Sequence, residues 1–337
     1  MANSTAEVEI ADQSAHSISP GARLLRGILR LWETWGIGVV LLLMVVLMAF
    51  TVPKFFTISN LFNIARSTSI IAVLAAGMTV VILIAGIDLS VGSLVAVTGV
   101  MAVIGWNFGL AAWQAVLLGV AIGAIAGILN GVLVAYVGLA GFIVTLAGLT
   151  AYRGVAYALT GGRPLTAEGK LGFHFLGDGN ILTVPVPVWI MIITYAVLWF
   201  LLERTTYGKR VYATGGNAEA ARMAGIRVRR IFASAYAISG VTAGIAGVMF
   251  MARVQSGQPT AGETYELQAI AAVVLGGTSL MGGRGRVIST LVGALIMGTL
   301  TNGMILLNTP FFTQLIIQGI VIVLAVSIDR LRLRYVR

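Results

Sequence analysis

Ile70-Ile71-Ala72-Val73-Leu74-Ala75-Ala76-Gly77-Met78-Thr79-Val80-Val81-Ile82-Leu83-Ile84-Ala85 carries no charged side chain and only one hydroxyl. Leu41 to Phe50 and Ile316 to Val326 are apolar runs of the same kind. A bilayer core asks for roughly 20 apolar residues per spanning helix, and several segments approach that length. A membrane β-barrel would instead show alternating stretches of roughly 10 residues, and none is sustained here. The expected fold class is therefore an all-α polytopic membrane protein.

Composition points the same way. The chain has 337 residues, 58% of them hydrophobic and 10% charged, against about 25% charged in an average soluble domain. There is too little polar material to coat a globule of this size. Glycine is abundant, at 42 residues; within apolar helices it lets backbones approach where no hydrophobic force drives them together. Cysteine is absent, which excludes a disulfide framework or a thiolate metal site. The net charge of +10 does not imply nucleic acid, because the basic residues sort by membrane side.

About ten spans are expected, near 34–52, 69–86, 90–107, 112–136, 139–159, 187–203, 231–253, 266–281, 286–306 and 312–328. The connections at 86–90 and 281–286 are so short that each is either a tight hairpin or a break in one helix. Lys and Arg concentrate in short cytoplasmic loops. With the N-terminus inside, alternation puts Arg23, Arg26, Arg30, Arg204, Lys209, Arg210, Arg222, Arg227, Arg229, Arg230, Arg284, Arg286, Arg330, Arg332, Arg334 and Arg337 inside, 16 of the 22 basic residues. Both termini then face the cytoplasm, as an even number of crossings requires.

On this reading residues 1–32 form a cytoplasmic tail, polar over Met1 to Pro20. It lacks the early apolar stretch and cleavage site of a signal peptide. Residues 33–329 form the membrane domain and 330–337 a basic cytoplasmic end. The longest external connection, 160–186, contains His174; one isolated histidine makes no metal site, and a structural or surface role is expected. Pro53 to Ser67, with Thr57 or Ser59 placed to cap a helix start, reads as a short helix along the outer surface.

The loop 204–230 is the most informative segment. Gly215-Gly216 permits a turn, Asn217 is a good N-cap, and Ala218 to Ala224 favours helix. Gly225 suits a C-terminal stop. A cap, a helix and a stop in so short a cationic loop point to a docking element for a cytoplasmic partner.

Glu219-Ala220-Ala221 followed by Gly225-Ile226 resembles the Glu-Ala-Ala…Gly motif of importer permeases. Gly77 to Leu83, Gly86-Ile87-Asp88-Leu89-Ser90-Val91-Gly92-Ser93, Pro259 to Gly262 and Tyr265-Glu266-Leu267 narrow the match. So do Ala269 to Leu280 and Gly282-Gly283-Arg284-Gly285. Together, from about Val52 to Asp329, they resemble the permease subunits of ribose-type sugar ABC transporters. The resemblance implies a homodimer in a bacterial cytoplasmic membrane, a cytoplasmic ATP-binding subunit and an external sugar-binding protein. Glu219, Ala220, Ala221 and Gly225 would couple it to the ATPase. ATP and Mg would act at that partner, with no cofactor on this chain.

The residues themselves agree that no nucleotide machinery is present. No Gly-x-x-x-x-Gly-Lys-Ser/Thr occurs, and Gly169-Lys170 lacks the loop glycine and the hydroxyl it would need. No Ser/His/Asp constellation suggests catalysis. Candidates for a sugar path are Asp88, Ser90, Asn130, Thr278, Ser279 and Asn302, with Thr145, Tyr152, Gln314 and Gln318 as further polar positions. Asp88 has two readings. One is a cation or proton site; the other, preferred, is that Asp88 or Ser90 caps the following helix at an inside turn within reach of water. Gln255 to Glu266 is a polar outer stretch suited to meeting a binding protein. Gly86-x-x-Leu89-x-x-Gly92 echoes Gly277-x-x-Leu280-x-x-Gly283, and Asn130-Gly131 echoes Asn302-Gly303, a hint of internal repetition. The alternative to an ATP-driven importer is a secondary carrier driven by an ion gradient.

Overall fold

The computed structural model describes residues 20–335, with side-chain surroundings for 36–327 except 325. The polar stretch 1–19 and the basic side chains at 330–337 lie outside the described residues. Residues 1–40 and 41–337 are separate units. In chain order the helices are α1 (Pro20–Thr51), α2 (Ile58–Leu83), α3 (Val91–Asn107), α4 (Ala112–Val132), α5 (Gly141–Thr160), α6 (Phe175–Asp178) and α7 (Val186–Trp199). They continue as α8 (Thr206–Gly216), α9 (Ala218–Met223), α10 (Val228–Val254), α11 (Tyr265–Leu275), α12 (Val287–Leu306) and α13 (Phe311–Tyr335). Single π turns, Leu133–Val137 and Phe200–Arg204, extend α4 and α7.

Six of these elements are long and apolar enough to cross a bilayer: α2, α4 and α7 with their π turns, α5, α10 and α12. Gly36–Thr51, α3, α11 and Phe311–Leu324 are apolar but shorter. The chain is thus an all-α polytopic membrane protein. Among the described residues the only strands are two-residue pieces, β1 (Leu165–Thr166) paired with β4 (Ser256–Gly257) and β2 (Asn180–Ile181) with β3 (Val184–Pro185).

Helix α10 is the post around which α2, α3 and α4 are arranged. Along α4, Gly119, Gly123, Gly127 and Gly131 recur every fourth residue and so share one face. A side chain at Gly123 would collide with the Gly240 carbonyl, and one at Gly240 with the Gly123 carbonyl. At Gly127 the obstacles are the Tyr236 carbonyl and the Gly240 Cα. The expected use of glycine is realised as a backbone-to-backbone seam. Such contact suits weak Cα–H···O bonds of about 0.5–1 kcal/mol each.

Two expectations fail in instructive ways. Pro53 to Ser67 is not a separate surface helix: Thr57 does cap, accepting from Asn60 N at 3.3 Å, but α2 then runs unbroken to Leu83. Ser67-Thr68-Ser69 does not interrupt it, because Ser67 and Ser69 donate to the carbonyls of Asn63 and Ala65 four residues back. Gly215 and Gly216 do not form a turn but close the last turn of α8.

The two short connections also differ from one another. Leu83, the end of α2, lies against Gly215 and Gly283, whereas Asn107, the end of α3, bonds the Thr166 carbonyl at 3.0 Å. Helices α2 and α3 therefore run in opposite directions, held apart by α10. Between them Ile84–Ser90 is non-helical and re-enters the bundle. Residues 276–286, by contrast, close a hairpin whose arms pack, with Gly293 of α12 against the Ala272 carbonyl of α11. The glycine-leucine echoes are therefore not structural equivalents. Gly92 lies in the first turn of α3, while Gly277, Gly282 and Gly283 have φ of +79°, +79° and +70° in a closed loop.

Candidate functional site

The predicted path residues fall in three places. Asp88, Ser90 and Asn130 come together beside Ser239, near the middle of α10. Asp88 Oδ1 accepts from Ser90 N at 3.0 Å and from Ser90 Oγ at 2.6 Å. Its Oδ2 accepts from Ser239 Oγ at 2.8 Å. Asn130 Nδ2 donates to Ser90 Oγ at 2.9 Å, and Tyr152 OH donates to Asn130 Oδ1 at 2.9 Å. Tyr236 OH and Thr145 Oγ1 both donate to the Ile87 carbonyl, at 3.3 and 3.2 Å. Three helices, α4, α5 and α10, and the unwound segment thus share one polar network in an apolar bundle.

Asp88 and Ser90 are fully buried, which corrects the expectation that Asp88 sits at a wet turn. After α2 the chain is non-helical over Ile84–Ser90 and carries Asp88 into the bundle instead of turning directly into α3. Ser90 holds the N-cap position of α3 but makes no side-chain cap bond, since its hydroxyl is committed to Asp88. Asp88 fixes the entry to α3 and ties it to α10. No basic group pairs with it; the one ion pair among the described residues is Arg286–Glu203, at 3.8 Å.

Thr278 and Ser279 lie in the 276–286 loop, away from Asp88. Ser279 N donates to the Arg284 carbonyl at 2.9 Å. Thr278 is fully buried, and its hydroxyl has no hydrogen-bond partner among the described residues. Asn302 forms a reciprocal amide pair with Asn60, at 3.0 and 2.8 Å, joining α12 to α2. Gln318 accepts from Gln268 at 3.4 Å. His174 places its ring Nδ1 2.8 Å from the Leu171 carbonyl, within its own loop. No cluster of His, Cys, Asp or Glu suited to a metal occurs among the described residues.

Arg153, which is not among the 16 basic residues that sort to the inside, lies within α5. Its Nη1 donates to the carbonyls of Pro259 and Ala261 at 2.6 and 2.7 Å, pinning the non-helical stretch before α11. That stretch meets the start of α3: a side chain at Gly92 would collide with the Gly262 carbonyl and the Glu266 carboxylate. Glu266 is therefore partly enclosed at the start of α11, not displayed with the outer polar stretch. A lone arginine inside an apolar helix was the legible signal. Ser239, between Ile238 and Gly240, offered none.

On α8–α9 the local expectations hold at Asn217 and Gly225. Asn217 Oδ1 accepts from Glu219 N at 3.0 Å and Ala220 N at 2.9 Å. Gly225 has φ +81°, and Ile226 N returns to the Ala221 carbonyl at 3.0 Å, a helix stop of the left-handed type. Ala221 is buried and anchors α9; Glu219, Ala220, Arg222 and Gly225 face outward. Met223 is 87% exposed, an apolar side chain among arginines.

A multi-pass helical bundle with unwound segments, a buried polar network and a capped polar helix between spans defines a membrane permease. Residues 60–326 match the family model described as the permease component of branched-chain amino acid transport systems, and the chain belongs to that family. It is 46% identical to the ribose import permease protein RbsC of Escherichia coli K12, over 86% of this chain and 92% of that protein. It is 45% identical to RbsC of Bacillus subtilis strain 168, over 86% and 90%. The L-arabinose ABC transporter permease protein AraH of Azospirillum brasilense is 38% identical, over 94% and 93%. No solved structure matches the chain.

Proposed function

We propose that this chain is the membrane-spanning subunit of an ATP-driven importer for ribose or a closely related monosaccharide. The observation that carries the reading is the 46% identity to a ribose import permease across nearly the full length of both chains. The family description mentions branched-chain amino acids, but the similar proteins named for substrates carry sugars.

In this reading the six long helices and four shorter apolar elements make ten crossings of a bacterial inner membrane, with both termini cytoplasmic. The two unwound segments, Ile84–Ser90 and 258–264, each begin a crossing that the following short helix, α3 or α11, continues, an arrangement that transporters place near the substrate site. Two copies enclose the path. The basic α8–α9 face receives the ATP-binding subunit, where ATP and Mg act, and the opposite end receives the sugar-binding protein. Glu219, Ala220, Ala221 and Gly225 form the docking helix. Asp88, Ser90, Asn130, Thr278, Ser279 and Asn302 belong to the elements that rearrange around the path.

The buried Asp88 is the one observation favouring a carrier driven by an ion gradient, since buried carboxylates serve proton relays. Its two oxygens are already bonded to Ser90 and Ser239, which supports a structural use. Uptake of labelled ribose into proteoliposomes holding the chain, its ATP-binding subunit and the binding protein tests the choice. Uptake that needs all three and ATP supports the importer; uptake by the chain alone under an imposed gradient overturns it. Replacing Glu219 and Gly225 together is expected to abolish ATP-coupled uptake.

A further inference from the structure

We propose that Gly215, Gly282 and Gly283 form a backbone junction that carries movement of α8–α9 to the connections following α2 and α11, making these glycines positioning residues for transport. The proposal rests on the importer reading above. Gly283 N donates to the Leu83 carbonyl at 2.9 Å. A Cβ on Gly215 would overlap that same carbonyl and lie 2.7 Å from Gly283 N. One on Gly282 would lie 2.8 Å from both Ala85 N and the Gly215 carbonyl, and one on Gly283 2.7 Å from Gly216 N. Three segments distant in sequence thus meet main chain against main chain. Tyr212 OH adds a second tether, donating to the Gly285 carbonyl at 3.0 Å.

What the junction joins gives it significance. Leu83 opens the unwound segment that delivers Asp88 to the polar network and starts α3. Residues 276–286 join α11 to α12. Helix α8 leads through Asn217 directly into α9. A displacement of α9 therefore reaches both connections with no intervening side chain to absorb it by rotamer change, a motion that takes only picoseconds to nanoseconds at exposed positions. Two further groups flank the junction. Thr214 on α8 and Thr278 on the loop are both buried, and neither hydroxyl has a hydrogen-bond partner among the described residues. Buried hydroxyls are paired in most structures, and each exception calls for a reason. A second arrangement of the junction, in which they find partners, supplies one.

The test is Gly215→Ala in the three-component proteoliposomes. The side chain is directed inward, so co-purification with the ATP-binding subunit is expected to persist. The ratio of binding-protein-stimulated to unstimulated ATP hydrolysis is expected to fall at least tenfold, as is ribose uptake. Gly216→Ala, whose Cβ would meet nothing within 4 Å, is expected to keep both. Wild-type ratio and uptake in Gly215→Ala, or equal loss in Gly216→Ala, would overturn the proposal. Thr278→Val guards against a variant that does not accumulate: its melting temperature should rise while the stimulation ratio falls. A raised melting temperature with an unaltered ratio refutes the second arrangement. Absence of ATP-driven uptake in the unmutated complex, measured first, overturns the importer reading and the junction's role with it.

Discussion

Replacing Asp88 by Asn and by Ala separates a carboxylate needed for its charge from one needed for its acceptors. Three donors converge on Asp88: Ser90 N, Ser90 Oγ and Ser239 Oγ, at 3.0, 2.6 and 2.8 Å. Asp88→Ala strands the Ser90 amide in a buried turn, costing about 1–3 kcal/mol, and releases two hydroxyl bonds to a charged acceptor worth about 1.5–3 kcal/mol each before rerouting. Either serine can redirect its proton to a nearby carbonyl, so the net loss is expected near 3–5 kcal/mol. Asp88→Asn keeps one oxygen for both Ser90 donors and turns its amide toward Ser239, whose hydroxyl also accepts. No positive side chain loses a partner. The cost of Asp88→Asn is expected below about 1 kcal/mol, the size of one neutral hydrogen bond. Thermal unfolding in detergent, followed by ATP-driven uptake, reads both effects. A stable Asp88→Asn protein with at least half of normal uptake is expected, beside a poorly accumulating Asp88→Ala. If Asp88→Asn were as stable as the parent but carried no sugar, the charge itself would be required and the structural account of this residue would be wrong.

Three further outcomes are expected. Gly127→Ala should be less stable than Gly154→Ala by about 1–3 kcal/mol, the usual cost of overpacking, because a Cβ at 127 lies 2.9 Å from the Gly240 Cα while one at 154 meets nothing within 4 Å; equal melting temperatures would dissolve the seam argument. Asn217→Ala removes the cap of α9 and should cost about 1 kcal/mol of local stability, read as faster amide exchange over 218–224 together with weaker binding of the ATP-binding subunit. Glu203→Gln should shift stability by less than about 1 kcal/mol, since its contact with Arg286 is long and the Arg286 side chain is mostly solvent-exposed; a larger loss would assign the pair a role beyond charge balance.

How far the residues alone reach depends on whether the deciding interaction is local. The ends of α10 and α12 fall within a few residues of expectation because long apolar runs decide them. Asn217 and Gly225 are legible because a cap and a stop act within one turn of backbone. Ser67-Thr68-Ser69 misleads because hydropathy counts a hydroxyl as polar whether or not it bonds its own helix. Gly215-Gly216 misleads for the opposite reason: glycine's freedom suggests a turn, whereas Gly215 is needed for the absence of a side chain beside Leu83 and Gly283. The sequence marks Asp88 and Ser90 together and Asn130 apart from them, but their meeting with Ser239 and Tyr152 depends on how the unwound segment, α4, α5 and α10 pack. No local pattern encodes that.

The position of Asp88 follows from the unwinding around it. Irregular backbone at membrane depth persists only where protein or a water-filled cavity satisfies its polar groups. Along Ile84–Ser90 the Ile87 carbonyl receives Tyr236 and Thr145, the Gly86 amide returns to Val81, and the Ser90 amide needs an acceptor that a helix would otherwise have supplied. Asp88 provides it and fastens the segment to Ser239 with its second oxygen. A segment held by side-chain bonds can exchange partners, while α10, packed glycine against glycine on α4, cannot shift without overlap. The bundle thus combines a fixed post with a strand of backbone attached to it by replaceable bonds, and α8 meets the chain immediately before that strand, at Leu83. A carboxylate serving this purpose needs no ion to move through it, which is why its neutral isostere is expected to transport.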